Sequence, residues 1–133
     1  RAQQASHEIK TRFGFDVVPV KAFDSDDRGK VIESAEIVLA TGAAGVELLR
    51  PEHWQDNERL ELLCDANATP PLGIGGTDMM DRGELRHGKI VWGAIGFGAL
   101  KLQLHRACIG RLFETHELVL DAEEIFEIAK SMA

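Results

Sequence analysis

The sequence has only two cysteines, Cys64 and Cys108, each in its own apolar stretch. That is too few for a disulfide scaffold, and two buried thiols in a reducing cytosol are expected instead. No Cys-x-x-Cys or His-x-x-x-His pair occurs and the five histidines are scattered, so no metal site is expected. Apolar runs extend over only a few residues, which excludes a membrane-spanning helix, and no charged-then-apolar leader is visible. A basic stripe is also missing. Fifteen Lys and Arg face 22 Asp and Glu, a net charge of −7, and a chain so charged is a poor partner for nucleic acid. The dinucleotide fingerprint Gly-x-Gly-x-x-Gly is absent throughout.

What is present is ordinary globular protein. The 133 residues are 44% apolar and 28% charged, sufficient for a core and against disorder. Ala2, Ala5, Ile9 and Phe13 recur at helical spacing and predict a helix over 1–13, ended by Gly14. Phe15–Val20 (FDVVPV) reads as a strand, and the Asp24–Asp27 stretch as the cap of a helix over 26–34. Glu36–Ala40 and Leu60–Cys64 read as two further strands, with a short helix over Pro51–Trp54 between them. Residues 65–78 form a long loop without periodicity, and Lys89–Trp92 is a fourth strand. A long helix over 97–115 and a last helix capped by Asp121, with Glu124 three residues on, complete the chain. Alternating helices and short, continuously apolar strands predict an α/β domain with a doubly wound parallel sheet covered on both faces.

In such sheets ligands bind beyond the carboxyl ends of strands, which draws attention to three segments. Thr41-Gly42-Ala43-Ala44-Gly45 is small enough to admit a flat ligand, and equally reads as a tight turn. In Asp65-Ala66-Asn67 the Asn67 amide could meet a carboxamide, or bond its own backbone. Pro70-Pro71-Leu72-Gly73 would suit a substrate rim or an ordinary connector. Lys101 falls in the first turns of the long helix, where the helix dipole disfavours a cation. A solvated lysine at a helix edge is its bland counterpart.

The runs Thr41–Leu49, Asp65–Gly76 and Leu100–Ile109, with the ending Asp121–Ala133, closely resemble the NAD(P)-dependent methylenetetrahydromethanopterin dehydrogenases of methylotrophic bacteria, over essentially the whole chain. The resemblance implies a Rossmann-like fold and an oxidoreductase of one-carbon metabolism in the cytoplasm. Such an enzyme passes a hydride from methylenetetrahydromethanopterin, and in some members methylenetetrahydrofolate, to NADP or NAD. It implies that the chain is truncated at its N-terminus, beginning after the pyrophosphate loop. Residues 1–116 would be the later part of the nucleotide domain, and 117–133 a helical segment directed at a pterin-binding domain. It further implies Thr41, Gly42, Ala43 and Asn67 at the cofactor, Pro71 and Gly73 at the pterin substrate, and Lys101 in the active-site cleft. The full-length form is expected to be a homo-oligomer, and these 133 residues alone to bind NADP weakly and to be inactive. Alternatives are a folate-linked methylene dehydrogenase, a shikimate-type dehydrogenase, or a nucleotide-binding module without catalysis.

Overall fold

The computed structural model describes residues 1–115 and 117–132. The expected boundary at 116/117 and the last residue of the expected C-terminal segment touch His116 and Ala133, which lie outside the described residues. In chain order the elements are α1 (Ala2–Phe13), α2 (Ser25–Ile32), β1 (Ile37–Ala40), a 3-10 turn (Pro51–His53), β2 (Leu62–Asp65), β3 (Arg82–Arg86), β4 (Lys89–Trp92), α3 (Gly98–Leu112) and α4 (Ala122–Ser131).

Local chemistry accounts for the helix ends. Gly14 adopts φ 75° and closes α1, its N–H donating to the Lys10 carbonyl. Asp24 caps α2 by accepting from the Asp27 amide at 2.9 Å. Asp121 and Glu124 form the reciprocal capping box of α4. The Arg12 guanidinium bonds both Asp121 and Glu123, tying the end of α1 to the start of α4.

The sheet has four strands in the order β1-β2-β4-β3. β1, β2 and β4 run parallel, with Ile37 opposite Leu62 and Leu62 opposite Ile90. The architecture is the expected mixed α/β one, consistent with a Rossmann-like fold. Three expectations need correction. Phe15–Val20 is not a strand: no ladder forms along it, and the Val17 carbonyl instead accepts from the Ser6 hydroxyl at 2.7 Å. β-branched residues favour a strand, but a partner edge decides one. Arg82–Arg86, for which no strand was expected, is the antiparallel edge strand β3, joined to β4 through His87 and Gly88, both at positive φ. The sheet is therefore mixed.

The third correction concerns the faces. Burial alternates along β1, β2 and β4. Ala40, Leu63 and Val91 point to the side that packs with Ile32, Leu49, Trp54, Leu60 and Ile74, where the core lies. The side carrying Ile37, Leu39 and Ile90 is open, because α3 packs against α4 rather than on the strands.

On β3 and the loop before it, Asp81 and Arg86 make a two-pronged ion pair at 2.6 and 2.7 Å, with Asp81 buried. Burial pushes the Asp81 carboxyl up, but the bonds from Arg86 and from the Asp78 amide outweigh it and hold the group below the usual carboxylate range. The Met79 and Asp81 carbonyls accept from Gly93, Ile95 and Gly96, so this loop seals the exit of β4. A Cβ at Gly96 would lie 1.7 Å from the Asp81 carbonyl oxygen.

One-sided packing predicts unequal costs in a denaturant melt. Leu63→Ala should lose about 2–5 kcal/mol and leave a cavity, whereas Leu39→Ala, at a position 67% exposed, should lose less than about 0.5 kcal/mol. Equal losses would contradict an open face. Arg86→Met strands the Asp81 carboxylate and should cost about 2–3 kcal/mol at neutral pH. A carboxyl with a lowered folded-state pKa stabilises above its unfolded value and ceases to do so as pH falls through the folded one. In Arg86→Met burial acts on Asp81 without the Arg86 bonds to offset it. The gap between wild type and variant should therefore begin to narrow as pH falls to where the variant's carboxyl protonates, at or above the ordinary aspartate range, and should finish narrowing below that range, read from Tm against pH.

Candidate functional site

Because β1 and β2 are parallel, their carboxyl ends lie side by side, and the segments that leave them meet. The Ala66 amide donates to the Ala40 carbonyl at 2.9 Å, carrying the β1–β2 pairing one step past the strands. Further along, the Leu48 and Leu49 amides donate to the Gly73 carbonyl and the Gly75 amide returns a bond to Leu49, a parallel bridge between Leu49 and Ile74. The Trp54 indole N–H donates to the Gly75 carbonyl at 2.9 Å from a fully buried position. The long loop expected over 65–78 is thus fastened at both ends.

The rim between these anchors brings together six of the residues singled out from the sequence. Thr41, Gly42 and Ala43 are exposed at the end of β1. Asn67 is buried and spans the gap. Its Nδ2 donates to the Ala43 and Pro71 carbonyls, both at 3.5 Å, and its Oδ1 accepts from the Thr69 amide at 3.0 Å. The Asn67 side chain therefore joins the turn after β1 to the loop after β2, a chemistry an amide with donors and an acceptor can perform in one residue. Pro71, preceded by a cis peptide bond, is exposed on the rim. Gly73 is buried behind it.

Space at the rim is set by glycine. A Cβ at Gly42 would stand 2.7 Å from Leu48 Cδ1, so a side chain there would have to displace the end of the Leu48 side chain. The sequence run Thr41–Gly45 therefore offers a small-residue, solvent-open surface of backbone at the carboxyl end of the parallel strands, the place where α/β sheets accept ligands.

Asp65 received no role in the sequence reading, although it begins a segment that did. It is 1% exposed at the end of β2. Its Oδ1 accepts from the Asn67 amide at 2.9 Å and its Oδ2 from the Ile74 amide at 2.8 Å. The available signal was an Asp two residues before an Asn at the close of an apolar run, the pattern of a side chain that bonds backbone ahead of it. Beside it, the Cys64 thiol is pushed above its ordinary value by burial and by the charge of Asp65, which makes it a poor nucleophile. Both cysteines are free thiols.

Lys101 lies in the first turn of α3, exposed, its amide donating to the Phe97 carbonyl. Among the described residues no hydrogen bond or ion pair engages its side chain or links it to the rim. Elsewhere, the carboxylates of Asp121, Glu123 and Glu124 gather at one point, but the Arg12 guanidinium occupies the same place, and the group serves as the cap of α4.

Removing the spanning amide should loosen the rim without unfolding the sheet. Asn67→Ala deprives the Thr69 amide and the Ala43 and Pro71 carbonyls of their partner and should cost about 1–2 kcal/mol in a thermal melt. The Leu48 and Leu49 amides, which donate to the Gly73 carbonyl, should exchange faster with solvent, while those of β2 do not change. Protection retained at 48 and 49 would show that Asn67 does not hold the two segments together.

No family model matches the chain. Along all 133 residues it is 46% identical to the Bifunctional protein MdtA of Methylorubrum extorquens. Over an alignment of 137 residues it is 33% identical to the NAD(P)-dependent methylenetetrahydromethanopterin dehydrogenase of the same organism. The chain spans 46% of the length of each. The resemblance seen in the sequence is borne out: these 133 residues are related from end to end to a part of proteins of that kind.

Proposed function

We propose that this chain, akin along its whole length to part of a methylenetetrahydromethanopterin dehydrogenase, is the nucleotide-holding part of an oxidoreductase. The reaction is transfer of a hydride from methylenetetrahydromethanopterin to NAD(P), leaving the methenyl form. The observation that carries the reading is the rim itself. Asn67 clamps the small-residue turn Thr41–Ala43 to the loop bearing Pro71 and Gly73, at the carboxyl ends of two parallel strands. That surface suits a flat heteroaromatic ring laid against backbone, since Thr41, Gly42 and Ala43 are small and exposed.

When bound, the nicotinamide supplies the hydride acceptor. Everything else asked of the chain is placement. The C–H bond of the methylene carbon breaks with both electrons leaving together, and the positive charge is spread over the amidine-like N–C–N unit that remains. No proton is removed, so no general base is required. In this reading Thr41, Gly42 and Ala43 back the nicotinamide. Asn67 holds them to the facing loop, Pro71 borders the pterin side, and Gly73 supports that border from beneath. Lys101, as an ammonium, would oppose a cation formed beside it. Its role in the reading is to hold a polar edge of the pterin and aim the donor carbon, an effect of orientation. Two free thiols suit a reducing cytoplasm.

The test is turnover by the intact protein that carries this sequence, with methylenetetrahydromethanopterin and methylenetetrahydrofolate each offered against NADP and NAD, following nucleotide reduction. Reduction with the methanopterin substrate is expected, and no reduction with any pairing would overturn the reading. Reduction with the folate alone would move the substrate to the folate class. Lys101→Ala should lower kcat/KM for the pterin by about 10–100-fold and leave KM for the nucleotide unaltered. Near-normal kcat/KM would remove Lys101 from the site.

A further inference from the structure

On the packed face of the sheet the positions next to Asp65 hold apolar side chains: Val38 and Ala40 on β1, Leu63 on β2, Val91 on β4. A carboxylate in that row departs from the pattern. Burying one costs several times what an apolar residue gains unless donors satisfy it. Among the described residues no Lys, Arg or His reaches Asp65 within ion-pair distance, so its compensation comes from backbone amides alone. The two donors are not arbitrary. They belong to Asn67 and Ile74, which stand at the two ends of the rim loop. Gly73 is matched to the arrangement, because a Cβ there would lie 2.8 Å from Asp65 Oδ1 and 3.3 Å from Oδ2.

We infer that Asp65 is a positioning residue, whose two oxygens hold residues 67–74 as one piece so that Asn67 can set the turn Thr41–Ala43 against it. Asp65 touches no ligand. It acts at one remove, fixing the backbone of Asn67, whose side chain then fixes the carbonyls of Ala43 and Pro71. The inference rests on the nucleotide reading for what the rim holds, and on geometry alone for how the rim is held. Breaking a local preference at one buried position, with its donors placed around a ligand rim, is the mark of a residue retained for shape rather than stability.

The experiment pairs amide hydrogen exchange with steady-state kinetics in the intact protein, for wild type, Asp65→Asn and Gly73→Ala. Asp65→Asn keeps the volume but replaces one acceptor with a donor, so only one of the two amides can be held. Gly73→Ala keeps the carboxylate and presses a methyl against it, which covers the case in which Asp65→Asn does not fold. Exchange should rise by about 10-fold or more at one of Asn67 and Ile74 in Asp65→Asn and at both in Gly73→Ala, the equivalent of one lost hydrogen bond to a charged group, with Leu63 and Val91 unchanged. KM for the nucleotide should rise about as much, and KM for the pterin substrate should rise with it, because Pro71 and Gly73 lie in the same loop. A merely structural role would lower the active fraction, and so kcat, while leaving both KM values alone, and that result overturns the proposal. So does unchanged exchange at 67 and 74. A wild-type protein that reduces neither nucleotide would instead overturn the dehydrogenase reading, and the exchange comparison would then decide whether Asp65 holds the loop.

Discussion

A carboxylate at the end of a buried strand has to find donors, and the route the chain takes after β2 is the consequence. Asp65 reaches forward to the amides of residues 67 and 74, which bends the intervening proline- and glycine-rich stretch into a closed loop rather than a free connector. Once the loop is closed, the Gly73 carbonyl is available to Leu48 and Leu49, and the Leu49–Ile74 bridge forms beneath the rim. Trp54, buried with its N–H on Gly75, seals the base. Each step uses a backbone group that the previous step brought within reach, and burial keeps water from competing for it.

The same parallel pairing explains why the site lies where it does. Two parallel strands end at one edge, and the chain must leave both there. After β4 that edge is filled by the Met79–Asp81 loop, which takes the amides of residues 93, 95 and 96. After β1 and β2 it is not filled: small residues and an exposed proline border it. Among the described residues, the edge at β1 and β2 combines backbone held rigidly with backbone open to solvent. A flat ligand needs both, since rigidity spares the cost of ordering the site and openness allows close approach.

The sheet itself is finished on one side. The rows Ile37, Leu62, Ile90, Leu85 and Leu39, Cys64, Trp92 follow directly from the strand register, and they carry as much apolar character as the packed side. Short strands that are apolar at every position look alike whether one face or two are covered. This is why an expectation of two covered faces followed naturally from the composition of EIVLA and KIVW, and why only the placement of α3 against α4 could overrule it.

Local features were legible wherever a residue acts on its near neighbours. Gly14, Asp24 and the Asp121–Glu124 pair set helix ends through bonds spanning three or four residues, and those ends stand as expected. The turn after β1 and the Asn67 segment were also visible, because small residues and a lone amide after apolar runs are signals in one dimension. Whether FDVVPV becomes a strand depended on a partner edge, and whether RGELR becomes one depended on β4 lying beside it; neither fact is carried by the segment itself. The joining of Ala43 to Pro71 by Asn67, and of residues 67 and 74 by Asp65, is likewise a property of the fold. It requires β1 and β2 to end together, and the amino acids can supply the donors and acceptors but not the meeting place.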